Sequence, residues 1–192
     1  MSSLILRLSI GRSNAFIMQV LTLAALVGLI TGGLAISNMA NNFFTTGTAS
    51  RFEVVTLSLL AELTGIFTVW IAAAWSLLAL SSYVVGLQSI RSMVSTTSML
   101  SQIGSSKQTY RTLILLRLLL LATLSWLFGW TGGLAASQIA YRLAAYVISA
   151  PYAIPYLQPM DLLKLLALTF TAVFAGGLYF VIKTRRFDSA GA

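Results

Sequence analysis

The chain has 192 residues, 58% hydrophobic and 8% charged, with 12 Lys or Arg against 4 Asp or Glu and neither Cys nor His. An average soluble domain is about 25% charged, so this is the composition of an integral membrane protein. The missing residue types exclude disulfides, thiolate or imidazole metal sites, and a His-ligated haem held by this chain alone.

A membrane span needs about 20 apolar residues. Four runs reach that length: Ala15–Ser37, Val54–Gly86, Thr112–Ile148 and Leu162–Ile182. None alternates as a barrel strand would. The expected fold is therefore an all-α integral membrane protein of one domain, residues 1–192, with four transmembrane helices. The second and third runs exceed one crossing, and must tilt or project beyond the bilayer.

Before the first span, Leu4, Ile5, Leu8 and Arg12 fall at helical spacing, which predicts a short amphipathic helix on the inner surface. Leu4, Leu6, Leu8 and Ile10 also alternate, so the period is mixed. Arg7, Arg12, an apolar run and Ala35-Ile36-Ser37 imitate a signal peptide. The run is longer than the usual 7–15-residue signal core, which makes it a retained span.

Charge fixes the expected orientation. Arg7, Arg12, Arg91, Lys107, Arg111, Arg117, Lys183, Arg185 and Arg186 gather on one side, against Arg51, Arg142 and Lys164 on the other. By the positive-inside rule both termini and residues 88–111 are cytoplasmic, in a multi-pass protein of the cell membrane. The net charge of +8 is thus a topology signal, and no nucleic-acid partner is read from it. The first outer loop, Asn38–Glu53, is too short for a folded extracytoplasmic domain. The second, Ser149–Asp161, holds Pro151, Pro155 and Pro159, interleaved with Tyr152 and Tyr156, and is expected to lie irregularly against the outer leaflet.

Spans one and three share a phrase. Thr31-Gly32-Gly33-Leu34-Ala35-Ile36-Ser37 is echoed by Thr131-Gly132-Gly133-Leu134-Ala135-Ala136-Ser137. Each span carries a GxxxG, Gly28/Gly32 and Gly129/Gly133, and span four adds Gly176-Gly177. In lipid, small residues that admit close backbone approach mark packing faces. Gly28, Gly32, Gly33, Gly129, Gly132 and Gly133 are therefore candidates for packing within the chain or against a second copy.

Glu62 is the one carboxylate inside a run. It is either a proton or substrate site, or a near-interface group paired with Arg142 or Lys164; depth decides the cost. Arg117, six residues into the third run, is expected to snorkel to the cytoplasmic headgroups. Enzyme chemistry lacks its parts: no His base, no paired Asp, no metal ligands and no Walker A spacing. No cofactor site is read, and any ATP hydrolysis belongs to another chain.

Gln88–Arg111 is the one long polar stretch between apolar runs, with Arg91, Lys107 and Arg111 and no carboxylate. Within it Ile90, Met93, Val94, Thr97, Leu100 and Ile103 recur every three or four residues. That spacing predicts an amphipathic cytoplasmic helix between spans two and three. Gly104 would stop it, Ser105 or Ser106 would cap the next helix, and Lys107 would lead into span three. Its apolar face can dock on headgroups or on a soluble partner.

Here the chain resembles the FtsX/MacB-type permeases of ABC transporters. Leu100-Ser101-Gln102-Ile103-Gly104-Ser105-Ser106-Lys107-Gln108-Thr109-Tyr110 is similar to the stretch that follows the cytoplasmic helix in that family. Four spans, internal termini and a basic tail look similar too, although the family's usual tail is reduced here to Lys183-Thr184-Arg185-Arg186. The chain departs from the family in its short first outer loop and in having Arg117 where an acidic residue is common. The resemblance implies a permease subunit paired with a second copy or paralogue and bound to a cytoplasmic ATP-binding subunit. By the same resemblance, such a subunit would handle lipids, lipoproteins or amphiphiles, or transmit motion. The ATPase would dock on Ser98, Met99, Leu100, Gln102, Ile103, Gly104, Ser105, Ser106 and Lys107. The competing expectation is a structural or assembly subunit of a larger membrane complex.

Overall fold

The computed structural model describes residues 13–45, 53–93, 107–148 and 154–188; the side chains of 53–68 and of a few positions near helix ends lie outside the description. Four helices make up the described chain: α1 (Ser13–Thr45), α2 (Glu53–Arg91), α3 (Lys107–Ile148) and α4 (Pro159–Asp188). No strand occurs among the described residues. All four helices are long and apolar enough to cross a membrane, over Asn14–Met39, Val69–Arg91, Arg111–Leu143 and Pro159–Tyr179. Helices suit such sequences because each backbone polar group is satisfied within its own segment.

Several boundaries differ from those expected. α1 begins near the expected start of span one but continues to Thr45. α2 runs past Gly86 to Arg91 and ends in a turn at Ser92 and Met93. Ile90 and Met93, expected on the docking face of a separate amphipathic helix, are instead buried in the bundle at 1% and 2% exposure. Their apolar period continues that of α2, and packing against the other helices draws them inward. Residues 94–106, the rest of that expected helix, lie outside the described residues, as do 1–12. Pro159, expected in the irregular outer loop, is the first residue of α4. Its missing N–H costs nothing there, and Gln158 O accepts from Asp161 N and Leu162 N at 3.1 and 3.2 Å.

The helices pair alternately rather than in sequence. α1 packs most extensively on α3, and α2 on α4; α2 also touches α1, and α4 touches α3 less. One buried cluster joins Phe16, Leu23, Val85, Ile90, Leu118 and Val173 near the ends that carry Arg91 and Arg111, here the basic end. A second joins Val27, Ile30, Leu78 and Leu165 farther along, with Trp75 and Trp126 against it. Outward positions stay apolar: Leu21, Trp70, Phe128 and Leu163 are 56%, 70%, 56% and 62% exposed. A soluble monomer seldom displays such continuous apolar surface, whereas lipid solvates it.

The far end is uneven. Asn38 Nδ2 donates to Asp161 Oδ2 at 3.1 Å, tying α1 to the start of α4. Ile71 lies beside Gly33, five residues before Asn38 on α1. From residue 71 back to 53, α2 continues for about 27 Å at 1.5 Å per residue. The surplus length of α2 therefore lies away from the basic end.

Candidate functional site

The polar segment leaves α2 at Arg91 and re-enters as α3 at Lys107. Both junctions are held together by Arg117, ten residues into α3. Arg117 Nε donates to Ser89 Oγ at 2.8 Å, and Nη2 donates to Ser92 Oγ at 3.0 Å. Ser92 Oγ in turn donates to Ser89 O at 2.8 Å. The guanidinium also sits 5.5 Å from the centroid of the Phe16 ring, at the start of α1. Three helices thus meet on one cation.

Arg117 is 2% exposed, so it does not snorkel to the headgroups as its sequence position suggested. The physical reason is partner supply. The planar fork presents donors in fixed directions, and two hydroxyls at the end of α2 accept them. The last turn of α2 also carries the negative end of its helix dipole, which favours a cation there. Phe16 adds a ring face within the ~6 Å range of a cation–π contact. A lysine ammonium would match neither the two-point geometry nor the stacking.

The glycines form the second part of the site. A Cβ built at Gly28 would lie 3.2 Å from Gly129 O, and one at Gly32 3.3 Å from Gly133 O. A Cβ at Gly129 would meet Ala24 O at 2.7 Å, and one at Gly133 would meet Gly28 Cα at 2.7 Å. Gly28, Gly32, Gly129 and Gly133 thus come together at one parallel crossing of α1 and α3. Ser125 Oγ donates to Val20 O across the same interface at 3.3 Å. Gly33 faces α2, with Ile71 Cγ1 4.0 Å away, and Gly132 faces open space with nothing within 4 Å. Neither belongs to the crossing. A second crossing joins α2 and α4, where a Cβ at Gly86 would overlap Val173 O and one at Gly176 would overlap Tyr83 O. Gly86 had given no sequence signal, since it lacks a GxxxG partner.

The remaining sequence candidates fall outside this constellation. Ser98, Met99, Leu100, Gln102, Ile103, Gly104, Ser105 and Ser106 lie outside the described residues, and Lys107 opens α3 with its side chain undescribed. Glu62 lies in the far half of α2, and its side chain is likewise outside the description. Lys164, one of its expected partners, has Asp161 Oδ1 at 3.9 Å on its own helix. Arg142, the other, is exposed.

Comparison of the chain with family models, curated proteins and solved structures gives no match. What the site can do therefore rests on its own geometry. Among the described residues no group of three or more His, Cys, Asp or Glu could hold a metal ion. The arrangement is a buried polar tie: Arg117 of α3 joins the end of α2 through Ser89 and Ser92 and the start of α1 through Phe16.

Proposed function

We propose that the chain is the membrane permease subunit of an ABC-type machine, passing the motion of a separate cytoplasmic ATPase into the bilayer or to the outer face. The reading places it in the cell membrane with both termini and residues 88–111 cytoplasmic, beside a second copy or a paralogue. The chain itself supplies no catalysis; ATP hydrolysis resides in the partner. The cargo class would be a lipid, lipoprotein or amphiphile, or none where only motion is transmitted.

The supporting observation is the Arg117 tie. A loop serving only to connect two helices needs no buried cation joining its two flanks to a third helix. A lever does, because a displacement of the segment must reach the spans without being lost in local bending. The sparse intramembrane charge suits transmission better than ion conduction. The resemblance at residues 100–110 supplies the ATPase as the source of motion.

The test is co-purification of the intact protein from its native membrane. The expected result is a nucleotide-binding chain that is lost with Gly104→Trp or Ser105→Trp, while the protein still inserts. Recovery with integral-membrane partners alone would replace this reading with that of an assembly subunit.

A further inference from the structure

Between α1 and α3 runs a groove of about 760 Å³ with walls that include Ile17, Leu21 and Phe128 and a floor that includes Gly28, Gly129 and Gly132. We propose that this groove binds one acyl chain of an anionic phospholipid whose headgroup lies at the basic end. The proposal is independent of the ATPase reading and requires only that the chain sits in a bilayer.

Length suits a hydrocarbon chain. The α1 side of the groove runs from Phe16 to Leu29, about 20 Å at 1.5 Å per residue. That exceeds one leaflet, which is half of the ~30 Å hydrocarbon core, so one acyl chain can lie along the groove over its whole extent. The lining is apolar throughout, so any headgroup must lie beyond an end.

Charge selects the end and the headgroup. Phe16 closes the groove at the basic end, against the Arg117 guanidinium. Arg111 lies eighteen residues before Gly129, five full turns, and so on the same meridian of α3; it is exposed. Of the four carboxylates, Glu53, Glu62 and Asp161 belong to the opposite half of the bundle; the fourth, Asp188, ends α4 at the basic end, where Lys183, Arg185 and Arg186 of the same helix outnumber it. A phosphodiester with net negative charge is complementary to this end, and a zwitterionic headgroup less so.

Gly132 makes the test clean. It lines the groove, yet a Cβ there meets nothing within 4 Å, so a side chain fills the groove without parting the helices. The full-length protein, exchanged into mixed phosphatidylglycerol and phosphatidylcholine, is examined by native mass spectrometry for retained lipid. Unmodified protein is expected to keep one phosphatidylglycerol in preference to phosphatidylcholine. Gly132→Leu should reduce that retention at least tenfold, and Ala25→Phe, at another exposed groove position, should do the same. Arg111→Gln should abolish the headgroup preference while a lipid is still retained. Undiminished phosphatidylglycerol in both groove-filling variants would overturn the proposal. So would a dimer that Gly132→Leu dissolves, which would identify a second copy as the occupant.

Discussion

Replacing Gly133 by leucine should open the α1–α3 crossing. A Cβ at Gly133 would lie 2.7 Å from Gly28 Cα and 2.8 Å from its carbonyl carbon, whereas ordinary contact begins at 3.4 Å. The Cβ alone therefore forces the helices apart by at least 0.7 Å (3.4 − 2.7 Å), and because the obstacle is backbone, no rotamer change relieves it. Over-packing of this kind costs about 1–3 kcal/mol, and the upper half of that range is expected here. The chain contains no cysteine, which provides the assay. Gly32→Cys with Ser137→Cys places two Cβ atoms 3.9 Å apart, inside the ~3.5–4.5 Å window of a disulfide. Mild oxidation should close that bond within one chain, read as a mobility shift of the monomer. Adding Gly133→Leu should carry the pair toward or beyond the window and cut the yield several-fold; adding Gly132→Leu should leave it unchanged. Equal crosslinking in the Gly133→Leu background, or crosslinking only between two copies, would refute the crossing.

Arg117→Met should lower thermal stability in detergent by about 2–4 kcal/mol, from the loss of two charged hydrogen bonds and the Phe16 contact. Arg117→Lys should recover only part of this, because one ammonium does not reproduce the fork; full recovery would mean that charge alone matters. Ser125→Ala, which removes the bond to Val20 O, should cost only about 0.6 kcal/mol, the usual value for an interhelical hydrogen bond in lipid, measured by the same melts. Gly176→Leu should disrupt the α2–α4 crossing as Gly133→Leu disrupts the other, seen as faster proteolysis of the solubilised protein. Glu62→Gln should leave assembly and function intact; complete loss of function with normal assembly would assign the carboxylate a direct role.

The helices were legible because hydropathy over twenty or more residues is a property of the sequence alone. So was the special status of Gly28, Gly32, Gly129 and Gly133, since a GxxxG reads as a close-approach surface whatever it meets. Which surface it meets was not legible: Gly132 and Gly133 are neighbours in the same repeat, yet one faces open space and the other a backbone. Helix rotation decides between them. Arg117 was misread for a related reason. Snorkelling is the default for a cation one or two turns inside a span, and only the arrival of Ser89, Ser92 and Phe16 from two other helices makes burial cheaper. Ile90 and Met93 show the same limit at a boundary, where the apolar period of a membrane helix passes without a break into what looked like a separate amphipathic one.

The alternate pairing of the helices has a consequence for biosynthesis. α1 ends at Thr45, but the helix that supplies its glycine partners is complete only at Ile148. At about 5–20 residues per second, that interval of roughly a hundred residues leaves α1 in the bilayer for some 5–20 seconds without its main contact. α2 likewise waits for α4. The helical hairpins that form first during translation are therefore not the tightest packing units, and the nascent chain must rearrange laterally as α3 enters. During that interval the exposed glycine surface of α1 is open to any other small-residue helix nearby, so the order of insertion is a point at which assembly can be diverted.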